Sequence, residues 1–264
     1  MNSILYSFAV LGSLGLLFGL LLAFASGIFK VETDERVEEI TALLPGANCG
    51  GCGYPGCSAL AAAIADGTAA IDTCSVAKKE QIDKIAKIMN VDAGTQSLKK
   101  VAVVLCSGTC DKISRKYEYD GIRDCRALTR LGGGEKDCIS GCAGYGTCVS
   151  HCRFDAIAIK DGVAEVDREK CVGCGVCVAV CPKKVIALVP KKETKAVLCN
   201  NRDKGAAVRT YCATGCIGCG ICKKTCEHDA IALENNLAVI DAEKCTNCGA
   251  CAEKCPRKVI HQIG

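Results

Sequence analysis

Cysteine carries the chemistry that this chain could perform, occurring 25 times among 264 residues. Residues 171–182 and 245–256 both read C-x2-C-x2-C-x3-C-P, and residues 216–226 repeat that spacing without the proline. Three closely spaced thiolates on one tight loop can bind three irons of a cube, while the fourth cysteine binds the cube of a paired loop. A zinc site needs only four thiolates, usually from two separated pairs. The spacing therefore favours [4Fe–4S] clusters, with structural zinc as the alternative.

A different cysteine group precedes these runs. Cys49, Cys52, Cys57 and Cys74 have the spacing C-x2-C-x4-C-x16-C, with several glycines between them. Glycine allows the backbone to approach an inorganic cube and its N–H groups to reach the sulfurs. We predict another [4Fe–4S] site here, and a zinc knuckle is the alternative.

The C-terminal two thirds of the chain contain an internal repeat. A shift of 74 residues superposes nine cysteines on nine others, and Pro182 on Pro256. Such agreement in register indicates a duplicated module. Alternating residues at 162–167 and 236–241 predict hairpin strands, and the apolar run 101–105 predicts a buried strand.

Residues 138–188 and 212–262 resemble the ferredoxin family of two-cluster [4Fe–4S] domains. The resemblance implies three ligand sets: Cys216, Cys219, Cys222 and Cys255; Cys245, Cys248, Cys251 and Cys226; and Cys171, Cys174, Cys177 and Cys152. The fourth set departs from the family pattern, because Tyr145 occupies the position that corresponds to Cys219. We assign Cys138, Cys142, Cys148 and Cys181 to it, with Cys138 replacing the missing ligand.

Five cysteines remain after these assignments. We predict a sixth cluster on Cys106, Cys125, Cys199 and Cys212, which leaves Cys110 spare. Buried free thiols are the alternative. The chain is thus expected to bind six [4Fe–4S] clusters, and at least five.

The N-terminus is apolar. No charged residue occurs before Lys30, and residues 4–29 are almost continuously hydrophobic, which exceeds the roughly 20 residues that span a bilayer. A cleaved signal peptide is the alternative. The predicted fold is α+β, with a transmembrane anchor helix at 1–29, a small helical single-cluster domain at 30–95, and two ferredoxin-like two-cluster modules at 96–190 and 191–264.

Other functional classes find little support. The formal net charge is +4, and the lysine pairs 183–184, 191–192 and 223–224 either compensate cluster charge or form a docking patch for an acidic ferredoxin. The sequence lacks the basic stretches with interleaved aromatic residues that are typical of nucleic-acid binding. No phosphate-binding or dinucleotide-binding glycine motif is present, and no catalytic residues are predicted.

The order of an apolar helix, the sequence LPGANCGGCGYPGC and ferredoxin modules resembles the B subunits of Rnf complexes, which are ion-translocating ferredoxin:NAD oxidoreductases. The resemblance covers essentially the whole chain. It implies an electron-relay subunit of a membrane oxidoreductase, with soluble ferredoxin as donor and with membrane, flavin and NAD-binding subunits as partners. It also implies a single-pass protein in the cell (inner) membrane. We expect the soluble body to face the cytoplasm, because a reducing compartment preserves the clusters. The alternatives are a subunit of another membrane redox complex, of hydrogenase type or reducing a redox sensor, and a structural metal protein.

Overall fold

The computed structural model describes residues 2–28, 34–92, 99–192 and 195–263. These residues form a long N-terminal helix, a three-helix unit, and two similar modules of short strands and helices. The helices are α1 Asn2–Ile28, α2 Glu35–Leu43, α3 Cys57–Ala65, α4 Lys79–Met89, α5 Cys125–Arg130, α6 Thr147–Ser150, α7 Val176–Val180, α8 Gly205–Tyr211, α9 Ile221–Thr225 and α10 Ala250–Glu253. The strands are β1 Lys100–Val104, β2 Ile157–Lys160, β3 Val163–Val166, β4 Ile186–Pro190, β5 Lys195–Val197, β6 Ile231–Glu234, β7 Leu237–Ile240 and β8 Ile260–Gln262.

Helix α1 has no acidic residue in its first turn and no basic residue in its last. Large apolar side chains along it, from Tyr6 to Phe24, are exposed. Over the residues that the structure describes, no helix is found that is long and apolar enough to cross a membrane. The transmembrane assignment of residues 1–29 stays a prediction.

Helices α2, α3 and α4 pack around one small apolar core. Ile40, Leu60, Ile64 and Ile85 are almost completely buried within it. The short helix α3 is rich in alanine, so its backbone can lie close to α2. The unit lies within residues 30–95, the range for which the sequence predicts a small helical domain.

The two modules have the same strand pairing. In the first, β1 pairs antiparallel with β4, and β2 with β3. In the second, β5 pairs with β8, and β6 with β7, also antiparallel. The hairpin turns β2–β3 and β6–β7 have positive φ at both central residues, Asp161–Gly162 and Asn235–Asn236, as a tight two-residue turn requires. The structure confirms the predicted hairpins and the buried strand, so the mixed helix-and-strand fold class holds.

The second module also contacts the segment that follows β1. Ile113 and Cys212 form an isolated antiparallel bridge, the Ala213 N–H donates to the Lys112 carbonyl at 2.8 Å, and the Ser114 N–H donates to the Tyr211 carbonyl at 3.0 Å. The modules are therefore joined by backbone hydrogen bonds as well as by side chains. The predicted boundaries at 29/30 and 95/96 lie outside the described residues, and the division into domains stays a prediction.

Candidate iron–sulfur sites

Cysteine side chains line five cavities, four cysteines in each. The cavities have similar volumes, about 320 to 360 Å³, as repeated sites for one kind of group would. A sixth group of four cysteines lies close together, since the Cys177 thiol interacts electrostatically with Cys152, Cys171 and Cys174. We number the groups along the molecule: site 1 (Cys49, Cys52, Cys57, Cys74), site 2 (Cys152, Cys171, Cys174, Cys177), site 3 (Cys125, Cys142, Cys148, Cys181), site 4 (Cys106, Cys138, Cys199, Cys212), site 5 (Cys216, Cys219, Cys222, Cys255) and site 6 (Cys226, Cys245, Cys248, Cys251).

Each of the five cavities is lined by four thiols and by no carboxylate. Such a donor set fits the [4Fe–4S] cluster that the cysteine spacing predicts. In the described part of the chain, no group of three or more His, Cys, Asp and Glu side chains is found that could hold a single metal ion. A zinc ion bonds each thiolate at about 2.3 Å and so draws four sulfurs close together, whereas a cube with an iron at each of four corners keeps them apart. The three-cysteine runs on single loops, with a fourth cysteine that lines the paired site, favour a cube over a single zinc ion.

Site 1 lies at the start of α3. Cys57 is the first residue of that helix, and its N–H donates to the Asn48 side-chain oxygen at 2.7 Å. A Cβ on Gly56 would lie 3.0 Å from the same oxygen, so the loop closes tightly beside the cysteines. The structure brings together the four cysteines that the sequence predicted here.

Sites 2, 3, 5 and 6 share one local design. A glycine with positive φ begins each of the short helices α6, α7, α9 and α10, at Gly146, Gly175, Gly220 and Gly249. Each helix carries a cysteine of one site, and the next cysteine along the chain lines the paired site. For example, Cys222 in α9 lines site 5, whereas Cys226 directly after it lines site 6. The structure therefore places these cysteines where the crossing of the fourth ligand, implied by the ferredoxin resemblance, requires them.

Site 4 has an approximate two-fold arrangement, with two cysteines from each module. Cys106 follows β1 and Cys199 follows β5. The Leu105 N–H donates to the Val185 carbonyl at 2.6 Å, and the Leu198 N–H donates to the corresponding Val259 carbonyl at 2.8 Å.

The thiols of site 4 accept matching hydrogen bonds. The Cys142 N–H donates to the Cys106 Sγ at 3.4 Å, and the Cys216 N–H donates to the Cys199 Sγ at 3.4 Å. Cys142 and Cys216 are themselves related by the 74-residue repeat. Hydrogen bonds to sulfur are one of the factors that set a cluster's potential.

Two cysteines are grouped differently from the sequence prediction. Cys138, assigned from the sequence to the set of Cys142, Cys148 and Cys181, lies in site 4, and Cys125, assigned to the sixth cluster, lies in site 3. The physical reason is strand pairing. The 74-residue shift superposes Cys125 on Cys199, but the hydrogen bonds after β1 and β5 make Cys106 the counterpart of Cys199.

The segment between Cys106 and Cys138 supplies the thiol that Tyr145 cannot. Asp124 accepts hydrogen bonds from the first turn of α5, and the Cys125 N–H donates to the Thr147 hydroxyl at 2.8 Å, which places Cys125 in site 3. Tyr145 faces elsewhere, with its hydroxyl donating to Glu135 at 3.2 Å and its ring edge-to-face on Tyr119.

Cys110 lies outside the six groups. It is exposed, and the Arg115 guanidinium donates to its Sγ at 2.9 Å. Its assignment as the spare cysteine stays a prediction.

Burial controls the protonation of the site thiols. Burial, with a further contribution from neighbouring thiols, raises the pKa of Cys138, Cys148 and Cys177 to about 12. It likewise raises the pKa of Cys199 and Cys222 to about 11. These thiols therefore remain protonated at neutral pH until a cationic group displaces the protons, which couples cluster binding to proton release.

Sites 1 and 2 lie against each other. A Cβ on Gly51 would overlap the carbonyl of Cys174, and the Arg153 guanidinium donates to the Ala47 carbonyl at 2.8 Å. The thiols of Cys49 and Cys174 are close enough to interact electrostatically. The helical unit is thus held with its site next to the first module.

Three family models match parts of the chain. The model described as "Putative Fe-S cluster" matches residues 44–76, "4Fe-4S binding domain" matches 164–187, and "4Fe-4S dicluster domain" matches 215–259. All four cysteines of site 4 lie outside these three ranges.

Curated relatives match almost the whole chain. The B subunit of the Na(+)-translocating ferredoxin:NAD(+) oxidoreductase complex of Acetobacterium woodii is 50% identical, over 98% of this chain and 78% of its own length. The B subunit of the ion-translocating oxidoreductase complex of Methanosarcina acetivorans is 40% identical, over 98% of this chain and 99% of its own. The B subunit of the proton-translocating ferredoxin:NAD(+) oxidoreductase complex of Clostridium ljungdahlii is 41% identical, over 100% of this chain and 94% of its own.

The fold and the repeated cysteine sites define an iron–sulfur electron-transfer protein. Together with the relatives, they show that the chain belongs to the family of B subunits of ion-translocating ferredoxin:NAD oxidoreductase (Rnf) complexes, which confirms the resemblance seen in the sequence. It is an iron–sulfur subunit of an oxidoreductase complex.

The grouping of Cys125 can be tested against the spare cysteine. We expect Cys125→Ala to remove about four irons per chain, since one [4Fe–4S] cluster loses a ligand, whereas Cys110→Ala keeps the full iron content. Iron and sulfide analysis of anaerobically purified protein measures both variants. Equal iron in the two variants would contradict the assignment of Cys125 to site 3.

Proposed function

We propose that the chain relays electrons between ferredoxin and the membrane and flavin subunits of its complex through six [4Fe–4S] clusters, bound at sites 1 to 6. Each cluster, when bound, accepts and passes on one electron. The cysteines hold the clusters, and the surrounding backbone brings each site next to the following one.

The contacts between sites support one continuous row. Sites 1 and 2 meet at Cys49 and Cys174, and the short helices α6 and α7 each lie between sites 2 and 3. Sites 5 and 6 are joined in the same way by α9 and α10.

The proposal rests mainly on the hydrogen bonds that join site 4 to a site of each module. Its Cys106 Sγ accepts from Cys142 of site 3, and its Cys199 Sγ accepts from Cys216 of site 5. Without site 4 the two modules would be separate pairs of sites. With it, the row continues from one module to the other.

We further propose that electrons enter at site 6 and leave at site 1. Cys248 of site 6 is exposed, and a Cβ on the adjacent Gly249 would lie 3.6 Å from the Lys195 ammonium, so this end presents a cation to an acidic ferredoxin. Site 1 is the site nearest to α1 along the chain.

Residues 1–29 form the proposed single-pass membrane anchor. The sequence of residues 4–29 carries no charge, and the large apolar side chains described along α1 are exposed, so no described part of the chain buries them. The other subunits of the complex, together with the lipid bilayer, are the proposed surroundings of this helix. We propose that the rest of the chain lies on the cytoplasmic side.

Purification of the complex tests the proposed function. The tagged chain, solubilised under anaerobic conditions, should co-purify with flavin-containing membrane subunits and support NAD reduction by reduced ferredoxin. A preparation of Cys110→Ala serves as a matched control, since that cysteine lies outside the six sites. Co-purification with hydrogenase-type partners and no such activity would instead assign the chain to another redox complex.

Protease accessibility tests the sidedness. In right-side-out vesicles we expect the body of the chain to be protected, and in inverted vesicles to be digested, because a cytoplasmic body is enclosed only in the former. The opposite pattern would refute the cytoplasmic location.

A further inference from the structure

Two cations occupy equivalent positions beside site 4. Lys183 follows Cys181 and Pro182, and Arg257 follows Cys255 and Pro256 at the position related by the 74-residue repeat. Each is therefore two residues past a cysteine of its own module's site, site 3 for Lys183 and site 5 for Arg257.

Both side chains reach across to a loop that carries a site 4 cysteine. The Lys183 ammonium donates to the carbonyls of Gly133 and Ile139, and Ile139 directly follows Cys138. The Arg257 guanidinium donates to the carbonyl of Cys212 itself, and to that of Gly215 at 3.4 Å. Each cation thus lies between site 4 and a neighbouring site.

The charge of Lys183 faces sulfur atoms instead of a carboxylate. The Lys183 ammonium interacts with the thiols of Cys138, Cys181 and Cys125, which belong to sites 3 and 4. Among the described residues, neither Lys183 nor Arg257 forms an ion pair with Asp or Glu. Both side chains are only partly exposed, whereas the next residues, Lys184 and Lys258, are exposed.

A fixed positive charge at such a place has a definite electrostatic effect. Reduction adds one negative charge to a cluster, and a nearby cation stabilises that charge more strongly where water is partly excluded. A cation therefore raises the reduction potential of the cluster that it faces. One cation on each side would act on both steps between the modules.

We propose that the positive charges of Lys183 and Arg257 both raise the reduction potential of the cluster at site 4. Lys183 also raises that of site 3, and Arg257 also raises that of site 5. This rests on the proposed function, since it presumes clusters at these sites. The two charges make the inter-module site an acceptor for electrons arriving from either neighbour.

Substitution of Lys183 with matched controls tests the proposal. Lys183→Gln removes the charge and keeps a polar group, Lys183→Arg keeps the charge, and Lys184→Gln removes the exposed neighbouring charge. In the purified complex, potentiometric titration followed by electron paramagnetic resonance gives each cluster's midpoint potential. The site 4 signal is identified by its loss in Cys199→Ala.

We expect Lys183→Gln to lower the reduced-to-oxidised ratio of site 4 at a fixed potential about tenfold, a shift of about 59 mV for one electron. Lys183→Arg should restore the ratio, and Lys184→Gln should leave it unchanged. Full iron content with unchanged potentials in Lys183→Gln would overturn the proposal.

Arg257 provides a second test in case Lys183→Gln loses a cluster. If Lys183→Gln loses iron, Arg257→Gln is titrated with Lys258→Gln as its control, and the same negative shift is expected at site 4. Iron loss in both charge-removing variants would assign the two residues to loop structure and overturn the proposal. If the wild-type complex had no ferredoxin:NAD activity, the proposed function would be refuted instead. The shifts in midpoint potential could still be measured, because they do not depend on that activity.

Discussion

The structure depends on the convergence of four thiols from separate segments at each site. Aromatic residues make up only 4% of the chain, so few large aromatic side chains are available to fill a core. Cysteines take their place in the cores: Cys142, Cys148 and Cys177 belong to the core of the first module, and Cys216 and Cys222 to that of the second. We therefore expect cluster binding to be coupled to folding, because the proposed ligand sulfurs also pack in the cores.

Duplication explains how a longer row of sites arises from a small fold. Each module alone resembles a two-site ferredoxin, with the fourth cysteine of each run crossing to the other site. The strands β1 and β5 add one cysteine at the same place in each module, at Cys106 and Cys199, and Cys138 and Cys212 complete the set. Site 4 is therefore a product of the repeat: it uses two equivalent positions twice, where the modules meet.

Local spacing was sufficient for most of the sites and insufficient for two cysteines. The short runs around Cys171, Cys216 and Cys245 determine which residues share a loop, and the structure groups them as the sequence predicted. The exchange of Cys125 and Cys138 depends on the pairing of β1 with β4 and on the long segment after Cys106. An alignment of the two repeats at a shift of 74 residues does not show these tertiary contacts. The position of β1 followed from its continuous apolar run, because consecutive residues on both faces of the strand are buried. For Lys183 the sequence predicts only general charge compensation or a docking patch, because its contact with the Cys138 loop, on which its proposed role rests, is tertiary.

In the proposed function, site 4 connects the two modules into one electron path. The most direct test is rapid mixing of the complex carrying Cys106→Ala and Cys199→Ala with reduced ferredoxin, followed by freeze-quenching and electron paramagnetic resonance. With site 4 empty, we expect the clusters of sites 5 and 6 to be reduced at the wild-type rate, while those of sites 1 to 3 remain oxidised on that timescale. Reduction of all remaining clusters at the wild-type rate would contradict a path through site 4.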